Sequence, residues 1–258
     1  MKKQISITLA LIAALLQSAC GDIGDNPAFS DGNTAGGITA ATGIPAIENF
    51  RLTFEDGWAM TLIDPDNTQT FTHGTNTLVA HAFDRNGIPV SNATINFALE
   101  WGQFPDGISS CITDSTGTCT VQWGTSAIEN RPLDNCVRIV AYTFGEESFR
   151  DSNGNGIFDD ADTTAAFANT EGFVNGFIDL PEPFFDVDDD GVFISANDKI
   201  ITGFGLHDAG DGNYNGSATC STTNFCSTTQ TTIIWDGSHI DFKDETTATV
   251  PAATNTCI

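Results

Sequence analysis

The sequence predicts an all-β protein, and three observations support that fold class. Short segments alternate between apolar and polar residues with a period of two, which is the pattern of a half-buried strand. Turn sequences rich in Asp, Asn and Gly separate these segments at intervals of about 8 to 12 residues. Beyond the N-terminal segment, no stretch repeats its apolar residues with the 3.6-residue period of a helix. Together these features predict a β-sandwich followed by a loop-rich extension.

The first predicted strands alternate clearly enough to assign their buried faces. Residues 49–54 alternate, and Asp84–Gly87 is a hairpin turn signal between two further strands. Three apolar faces follow from the alternation: Leu78, Ala80 and Ala82; then Ile95, Phe97, Leu99 and Trp101; then Cys119, Val121 and Trp123. We therefore expect Trp101 and Trp123 to lie in the core of the sandwich.

Two further strand segments lie towards the C-terminus. Val137–Phe144 is apolar and rich in β-branched residues, as a strand is. Strand character resumes over Thr231–Phe242, where Asp236–Gly237 predicts a turn. Apolar residues flank that turn on both sides: Ile233 and Trp235 before it, Ile240 and Phe242 after it.

The N-terminus resembles a bacterial lipoprotein signal. Two lysines precede an apolar stretch, residues 5–16, which is too short for a comfortable membrane span. The small residues Ser18 and Ala19 come directly before Cys20, whose counterpart in that family is lipidated after cleavage. Gln17 departs from the Leu-like residue usual there, so cleavage nearby without lipidation is the alternative. The expectation is an exported chain that is lipid-anchored at Cys20. In some bacteria an Asp after the lipidated cysteine favours retention in the inner membrane, so Gly21 at this position favours the outer membrane.

The charge of the chain restricts its partners. The net charge is −25, and removal of residues 1–19 takes away two lysines and no acid, which makes it −27. So negative a surface repels nucleic acid and anionic membranes, so neither is an expected partner and the lipid is the only expected membrane contact. Solubility is the bland explanation of the charge. Many of the acids, however, lie in Asp/Asn/Gly loops, which favours cation binding.

Two stretches have the spacing of a calcium loop. A hard cation such as calcium needs six to eight oxygen ligands. In a calcium loop, the side chains of every second residue and one backbone carbonyl supply these oxygens, and a Gly occupies the sharp turn. The first predicted ligand set is Asp151, Asn153, Asn155, Ile157 through its carbonyl, Asp159 and Asp162, with Gly156 at the turn. The second is Asp186, Asp188, Asp190, Val192 through its carbonyl, and Asn197, with Asp198 as a substitute and Gly191 at the turn. Calcium is therefore the predicted cofactor, with an unliganded surface turn as the alternative for each loop.

A third, degenerate copy is suggested by His207, Asp211, Gly212 and Asn215. Histidine is the wrong residue for its first position, and Asp208 would shift the register. Glu147 and Glu182 border the loops, where they complete a coordination shell or face water.

Seven cysteines are present, and Cys20 as the lipid site leaves six. An even number in an exported protein indicates disulfides, and sequence proximity predicts their pairing. The turn sequence between Cys111 and Cys119 suggests a bond across a hairpin, and a short polar loop separates Cys220 from Cys226. By elimination, Cys136 pairs with Cys257. A zinc site is the competing interpretation, but the sequence has no C-x-x-C pair.

Catalytic motifs are absent from the sequence. It contains no G-x-S-x-G, H-E-x-x-H, phosphate loop or dinucleotide fingerprint, and its four histidines are isolated. We therefore expect no enzyme; spare carboxylates leave a hydrolase as a remote alternative. Trp58 and Trp235 are the candidates for a sugar-stacking platform, since Trp101 and Trp123 fit core faces.

Several segments, in order, resemble the bacterial Ig-like domain of the invasin/intimin group and surface lipoproteins that carry it. They are residues 81–97 (HAFDRNGIPVSNATINF), 111–123, 137–143, 145–156, 179–184 and 214–216 with Cys220 and Cys226. The resemblance covers roughly residues 46–245, and the pairing of Cys136 with Cys257 is not part of it. It implies an Ig-like β-sandwich with a structural or adhesive role at the cell surface.

These expectations divide the chain into five parts. They are a signal (1–19), a flexible tether (20–45), an Ig-like sandwich (46–145), a calcium-loop extension (146–219), and a disulfide loop with terminal strands and tail (220–258). The predicted partner is a protein or glycan at the cell surface. A calcium-dependent carbohydrate-binding module is the second functional hypothesis.

Overall fold

Strands dominate the computed structural model, which describes residues 41–57, 59–62, 75–125, 132, 134, 136–165, 168–169, 172–188, 190–204 and 209–244. A single 3₁₀ turn, Ile47–Asn49, precedes the first strand, and the one α-helical turn among these residues is α1, Asp160–Thr163. No helix in those ranges is both long and apolar enough to span a membrane. All the described residues belong to one compact unit.

Twelve strands are described, in the following order along the chain. They are β1 (Phe50–Phe54), β2 (Ala59–Leu62), β3 (Thr75–Ala82), β4 (Thr94–Leu99), β5 (Ser110–Ile112), β6 (Thr118–Gly124), β7 (Cys136–Gly145), β8 (Ile157–Phe158), β9 (Phe184–Phe185), β10 (Lys199–Ile200), β11 (Thr219–Cys220) and β12 (Thr232–Asp244).

Two sheets form a sandwich-like body. The first has the order β1-β3-β6 and is antiparallel throughout. The second has the order β2-β12-β7-β4-β5 and is antiparallel except for the parallel pair of β12 with β2. One hydrophobic core joins the inner faces of both sheets. The all-β fold class predicted from the alternation is therefore confirmed.

The predicted apolar faces of β3, β4 and β6 are the ones that point into this core. Leu78, Ala80 and Ala82 are fully buried, as are Ile95 and Trp123. The indole nitrogen of Trp123 donates to the Trp101 carbonyl at 3.2 Å, so the buried ring has a polar partner. Both tryptophans are core residues, as predicted.

The predicted turn at Asp236–Gly237 is wrong, because β12 is one continuous strand of 13 residues. It pairs with β7 without interruption from Thr232 opposite Gly145 to Asp241 opposite Cys136. A contact distant in sequence explains the Asp: its carboxylate accepts a hydrogen bond from the backbone N–H of Leu52 on β1, at 2.7 Å. The side chain links the two sheets and does not begin a turn.

The disulfide Cys111–Cys119 is present, but it does not cross a hairpin. Cys111 lies on β5 and Cys119 on β6, and these strands belong to different sheets. The connection between them turns at Asp114, whose carboxylate accepts from the backbone N–H of Thr116 at 2.7 Å. The bond therefore clamps one sheet of the sandwich to the other.

The second predicted disulfide, Cys220–Cys226, is also present. Cys136 is disulfide-bonded as well. Its predicted partner, Cys257, lies outside the described residues, as do Cys20, Trp58 and most of the tether.

The segment after β7 covers the outer face of the five-stranded sheet. Val140, on that face of β7, packs in a cluster with Phe185 of β9 and Ile201. Other residues of the same segment form an aromatic cluster centred on Phe158, Phe177 and Tyr214. The central strand β7 is consequently buried on both faces, which its near-continuous apolar sequence reflects.

Candidate metal-binding loops

The first acidic loop turns back on itself around the carboxylate of Asp151. That carboxylate accepts from the backbone N–H of Gly154 at 2.7 Å and of Gly156 at 2.6 Å. Both glycines have positive φ, 72° and 71°, a conformation that other residues rarely adopt. The Asn155 side-chain oxygen accepts from the N–H of Ile157 at 2.7 Å. The loop thus needs its Asp, its Asn and its glycines where the sequence places them.

Asp162 closes this loop from its far end. One carboxylate oxygen accepts from the N–H of Ser152 at 2.7 Å, and the other accepts from the N–H of Asp159 at 2.9 Å. The second bond is half of a capping box at the start of α1, whose N-cap is Asp159. Asp162 is fully buried, whereas the loop it closes is exposed.

Asp159 faces the amides of the same loop. Its carboxylate accepts from the side-chain nitrogen of Asn155 at 2.8 Å and of Asn153 at 3.2 Å. The hydrogen bond from Asn155 and that from the N–H of Ala161 hold the pKa of Asp159 below its ordinary value. This carboxylate therefore stays ionised within reach of the loop.

The second acidic loop has the same backbone turn. Asp186 accepts from the N–H of Gly191 at 2.8 Å, as Asp151 does from Gly156. Asp190 accepts from the N–H of Val192 at 2.8 Å, as Asn155 does from Ile157. Gly191 again has positive φ, 73°. The two loops are structural repeats of one another.

The closing residue of the second loop is Asp198. Its two carboxylate oxygens accept from the N–H groups of Val187 at 2.8 Å and Ile194 at 2.7 Å. Asn197 instead donates its side-chain amide to Asp188 at 2.6 Å. Both residues were predicted for the last ligand position of this loop, and their contacts differ in the structure. Asp198 is the counterpart of Asp162, so the second loop is one residue longer than the first.

Three carboxylates converge in the second loop. Oxygen atoms of Asp186, Asp188 and Asp190 all lie within 4.8 Å of one another. Like charges so close repel, and a bound cation would remove that repulsion. Oxygen donors in this number fit a hard divalent ion such as calcium, so the residues present suit the predicted metal. The first loop places two carboxylates, Asp151 and Asp159, with the amide groups of two asparagines.

Arg138 fastens the second loop to the sheet. This buried residue on β7 donates its Nε to the Asp186 carbonyl at 2.6 Å and another guanidinium nitrogen to the Val187 carbonyl. The same guanidinium contacts the carboxylate of Asp134 at 2.8 Å. Two carbonyls at the start of the loop are thereby fixed to the central strand of the body.

The third predicted copy does not repeat this turn in its described part. His207 and Asp208 lie outside the described residues. Asp211 accepts from the N–H of Asn213 at 2.8 Å, but the N–H of Asn215 donates to Glu147 at 2.8 Å, from another segment. A better match to the first loop begins at Asp211 (D-G-N-Y-N-G), and sequence inspection missed that register. In the first loop the corresponding N–H, that of Asn155, donates to Asp151 of the same loop, whereas the N–H of Asn215 donates to Glu147.

Glu147 is consequently part of a separate acidic site. It is buried, and it also accepts from the N–H of Leu180 at 3.0 Å. Burial raises the pKa of Glu147 to about 8, and the nearby charges of Asp179 and Asp211 add to the rise, against the two backbone hydrogen bonds that lower it. Glu147, Glu182 and Asp211 line one cavity of about 180 Å³.

No protein-family model, curated protein or solved structure matches the chain. The resemblance to the invasin/intimin group therefore stays a prediction.

Proposed function

We propose that this chain is a calcium-stabilised, Ig-like surface lipoprotein with a structural or adhesive role. The observation that carries the proposal is the repeated loop geometry. Two loops, separated by more than twenty residues, share the turn at their glycine and close on a buried Asp. A repeated arrangement of oxygen ligands has a common cause in metal binding more readily than in two independent surface turns.

Calcium is the cation that suits these ligands, since they offer oxygen atoms only. The first site would use the side chains of Asp151, Asn153, Asn155, Asp159 and Asp162 with the Ile157 carbonyl. The second would use Asp186, Asp188 and Asp190 with the Val192 carbonyl, and Asp198 is its closing residue in preference to Asn197. When bound, the metal supplies positive charge that offsets carboxylate repulsion; it is assigned no reaction.

The contacts of the second loop with the sandwich support a role of the bound ion in making the protein more rigid. Arg138 holds its first residues on β7, and Lys199 at its end contacts Glu100 at 2.6 Å. A loop fastened at both ends to a sandwich stiffens the body when the ion orders its middle. Stiffness is what a protein that presents a binding surface away from the membrane needs.

Terbium luminescence tests the metal sites directly. Terbium replaces calcium in oxygen-ligand sites, and energy transfer from nearby aromatic rings reports its binding. We expect terbium emission that calcium competes away. Asp186→Asn with Asp188→Asn should remove the signal of the second site, while the exposed control Asp106→Asn should leave it. Emission that these substitutions do not change would contradict the assignment.

Display at the surface needs a separate test in whole cells. In a Gram-negative host, the full chain should incorporate a palmitate analogue and be accessible to antibody on intact cells. Cys20→Ser should abolish the labelling and release the chain. A wild-type chain that carries no lipid, or that antibody never reaches, would refute the lipoprotein part and leave the metal sites unaffected.

A further inference from the structure

A cavity of about 240 Å³ lies where the second loop meets the outer face of the sheet. Its lining includes Gly237, Trp235 and His239 of β12, Val140 of β7 and the phenylalanines of β9. Residues two apart on a strand share a face, so the three β12 residues stand in a row along it. The cavity is therefore built from the sheet on one side and from the extension on the other.

Gly237 accounts for the open space. It is exposed in the middle of a 13-residue strand, between the half-buried Trp235 and His239. A Cβ at this position would meet nothing closer than Trp235 at 3.6 Å and Val140 at 3.8 Å, so the fold does not demand a glycine here. A glycine inside a strand weakens it, and such glycines often mark places where a ligand approaches the backbone.

Trp235 is held in a fixed orientation beside that space. Its indole N–H donates to the Pro181 carbonyl at 2.9 Å, and its ring packs edge-on against Phe184 at 5.3 Å between centroids. An aromatic wall positioned before a ligand arrives lowers the entropy cost of binding.

The size, lining and charge of the cavity restrict the ligand. Its volume is below the ~300–1,000 Å³ of pockets for drug-sized molecules, so it admits a single ring. The walls offer aromatic and aliphatic surface together with the imidazole of His239, the carboxylate of Asp186 and the guanidinium of Arg138, whose positive charge is paired with Asp134. A chain with net charge −25 repels anionic ligands. A neutral ring with an apolar face and hydroxyl groups at its edge satisfies all three restrictions.

We propose that this cavity binds one neutral pyranose ring of a glycan, against Trp235 and over Gly237. The adhesive role proposed above would then have glycan as its target. The proposal of glycan binding depends on the adhesive role only for its biological purpose, and not for the structural argument. Its connection with the metal site is Asp186, which lines the cavity and begins the second loop.

The test begins with the calcium-loaded full chain on an array of neutral and acidic glycans. Titrations with methyl hexopyranosides, followed by tryptophan fluorescence, then compare wild type with Gly237→Val. Valine favours a strand, so the variant should fold and keep its calcium-dependent melting, while its methyl groups occupy the ring's space. We expect binding of neutral glycans that weakens by about tenfold or more in Gly237→Val.

Thr120→Val is the matched control, because it places valine at an exposed mid-strand position of the other sheet. Its affinity should equal that of wild type. His239→Ala removes a half-buried lining group without touching the strand glycine, and it should weaken binding too. An array without neutral hits, hits confined to acidic glycans, or equal binding by Gly237→Val would overturn the proposal. If Gly237→Val keeps its calcium-dependent melting, the proposed metal sites stand whether or not the glycan proposal fails.

Discussion

Asp198 accepts, in the second acidic loop, the same two kinds of backbone hydrogen bond that Asp162 accepts in the first. Each carboxylate takes one N–H from the second residue of its loop and one from the residue that begins the closing turn. Both residues are buried: Asp162 is 0% exposed and Asp198 is 8% exposed. The two aspartates are therefore equivalent, even though their distances from the start of the loop differ by one residue.

This equivalence predicts which substitution weakens calcium binding. Extracellular sites bind calcium at roughly 10⁻⁴–10⁻³ M, so about 10 mM calcium stabilises each occupied loop by about 1.4–2.7 kcal/mol. Wild type should melt several degrees higher in calcium than in EDTA by calorimetry. Asp198→Asn should lose the part of that shift that comes from the second loop. The neighbouring Asn197→Ala should keep most of it, and the reverse order would show that the closing residue is Asn197.

The inter-sheet disulfide predicts a global loss of stability when it is removed. Cys111 and Cys119 join the two sheets, so their bond restricts the unfolded chain and holds both layers of the folded one. Replacing both with serine should lower the free energy of unfolding by about 2–4 kcal/mol in urea titrations. The pair Cys220 and Cys226 lies outside the two sheets of the sandwich and is the matched control. Its removal should leave the unfolding of the sandwich, followed by tryptophan fluorescence, largely unchanged.

Asp236 provides a second, polar link between the sheets. Alanine at this position would leave the N–H of Leu52 without its acceptor and should destabilise the protein by about 1–3 kcal/mol. Asparagine retains an acceptor oxygen and should cost less. Urea denaturation of the two variants measures the difference. Equal losses would mean that the carboxylate charge, and not the hydrogen bond, is what matters at this site.

Glu147 predicts a pH dependence with a definite sign. Its folded pKa is about 8, above its ordinary value of 4.5, so the folded state retains a proton that the unfolded state has released. Stability from this group is fully present below about pH 4.5 and is lost as the pH rises through 8, at up to about 1.4 kcal/mol per pH unit. Glu147→Gln should remove this slope in unfolding titrations from pH 5 to about pH 8.

The exposed Glu55→Gln is the control for that experiment and should retain the slope. Glutamine has one acceptor oxygen where the carboxylate has two, so Glu147→Gln also carries a constant cost at all pH values. The diagnostic quantity is therefore the slope with pH. A variant whose slope equals that of wild type would place the titrating group elsewhere.

Local pattern was sufficient for much of the fold. Alternation alone identified the buried faces of β3, β4 and β6, because a one-residue shift would turn every apolar side chain to solvent. The turn at Asp236–Gly237 was wrong for a physical reason: the dipeptide has turn chemistry, but its carboxylate is used by Leu52, 184 residues earlier. No local rule includes that partner.

Spacing identified both acidic loops, and it failed where partners from outside the loop intervene. Counting from Asp186 leads to Asn197, since a count cannot include the extra residue that the second loop accommodates before Asp198. The register beginning at Asp211 matches the first loop well in sequence. Glu147 nevertheless takes the N–H of Asn215, and the motif does not close on itself.

The position of β12 has a consequence for how the chain folds as it is made. The last described strand lies between β2 and β7, inside its sheet and not at an edge. A nascent chain that ends before residue 232 lacks a central strand, so the five-stranded sheet cannot form until β12 has been made. Until then β7 has one open side along its full length. Ile234 and Ile240 of β12 are then also missing from the core, so the packing between the two sheets is completed only when this strand has been made.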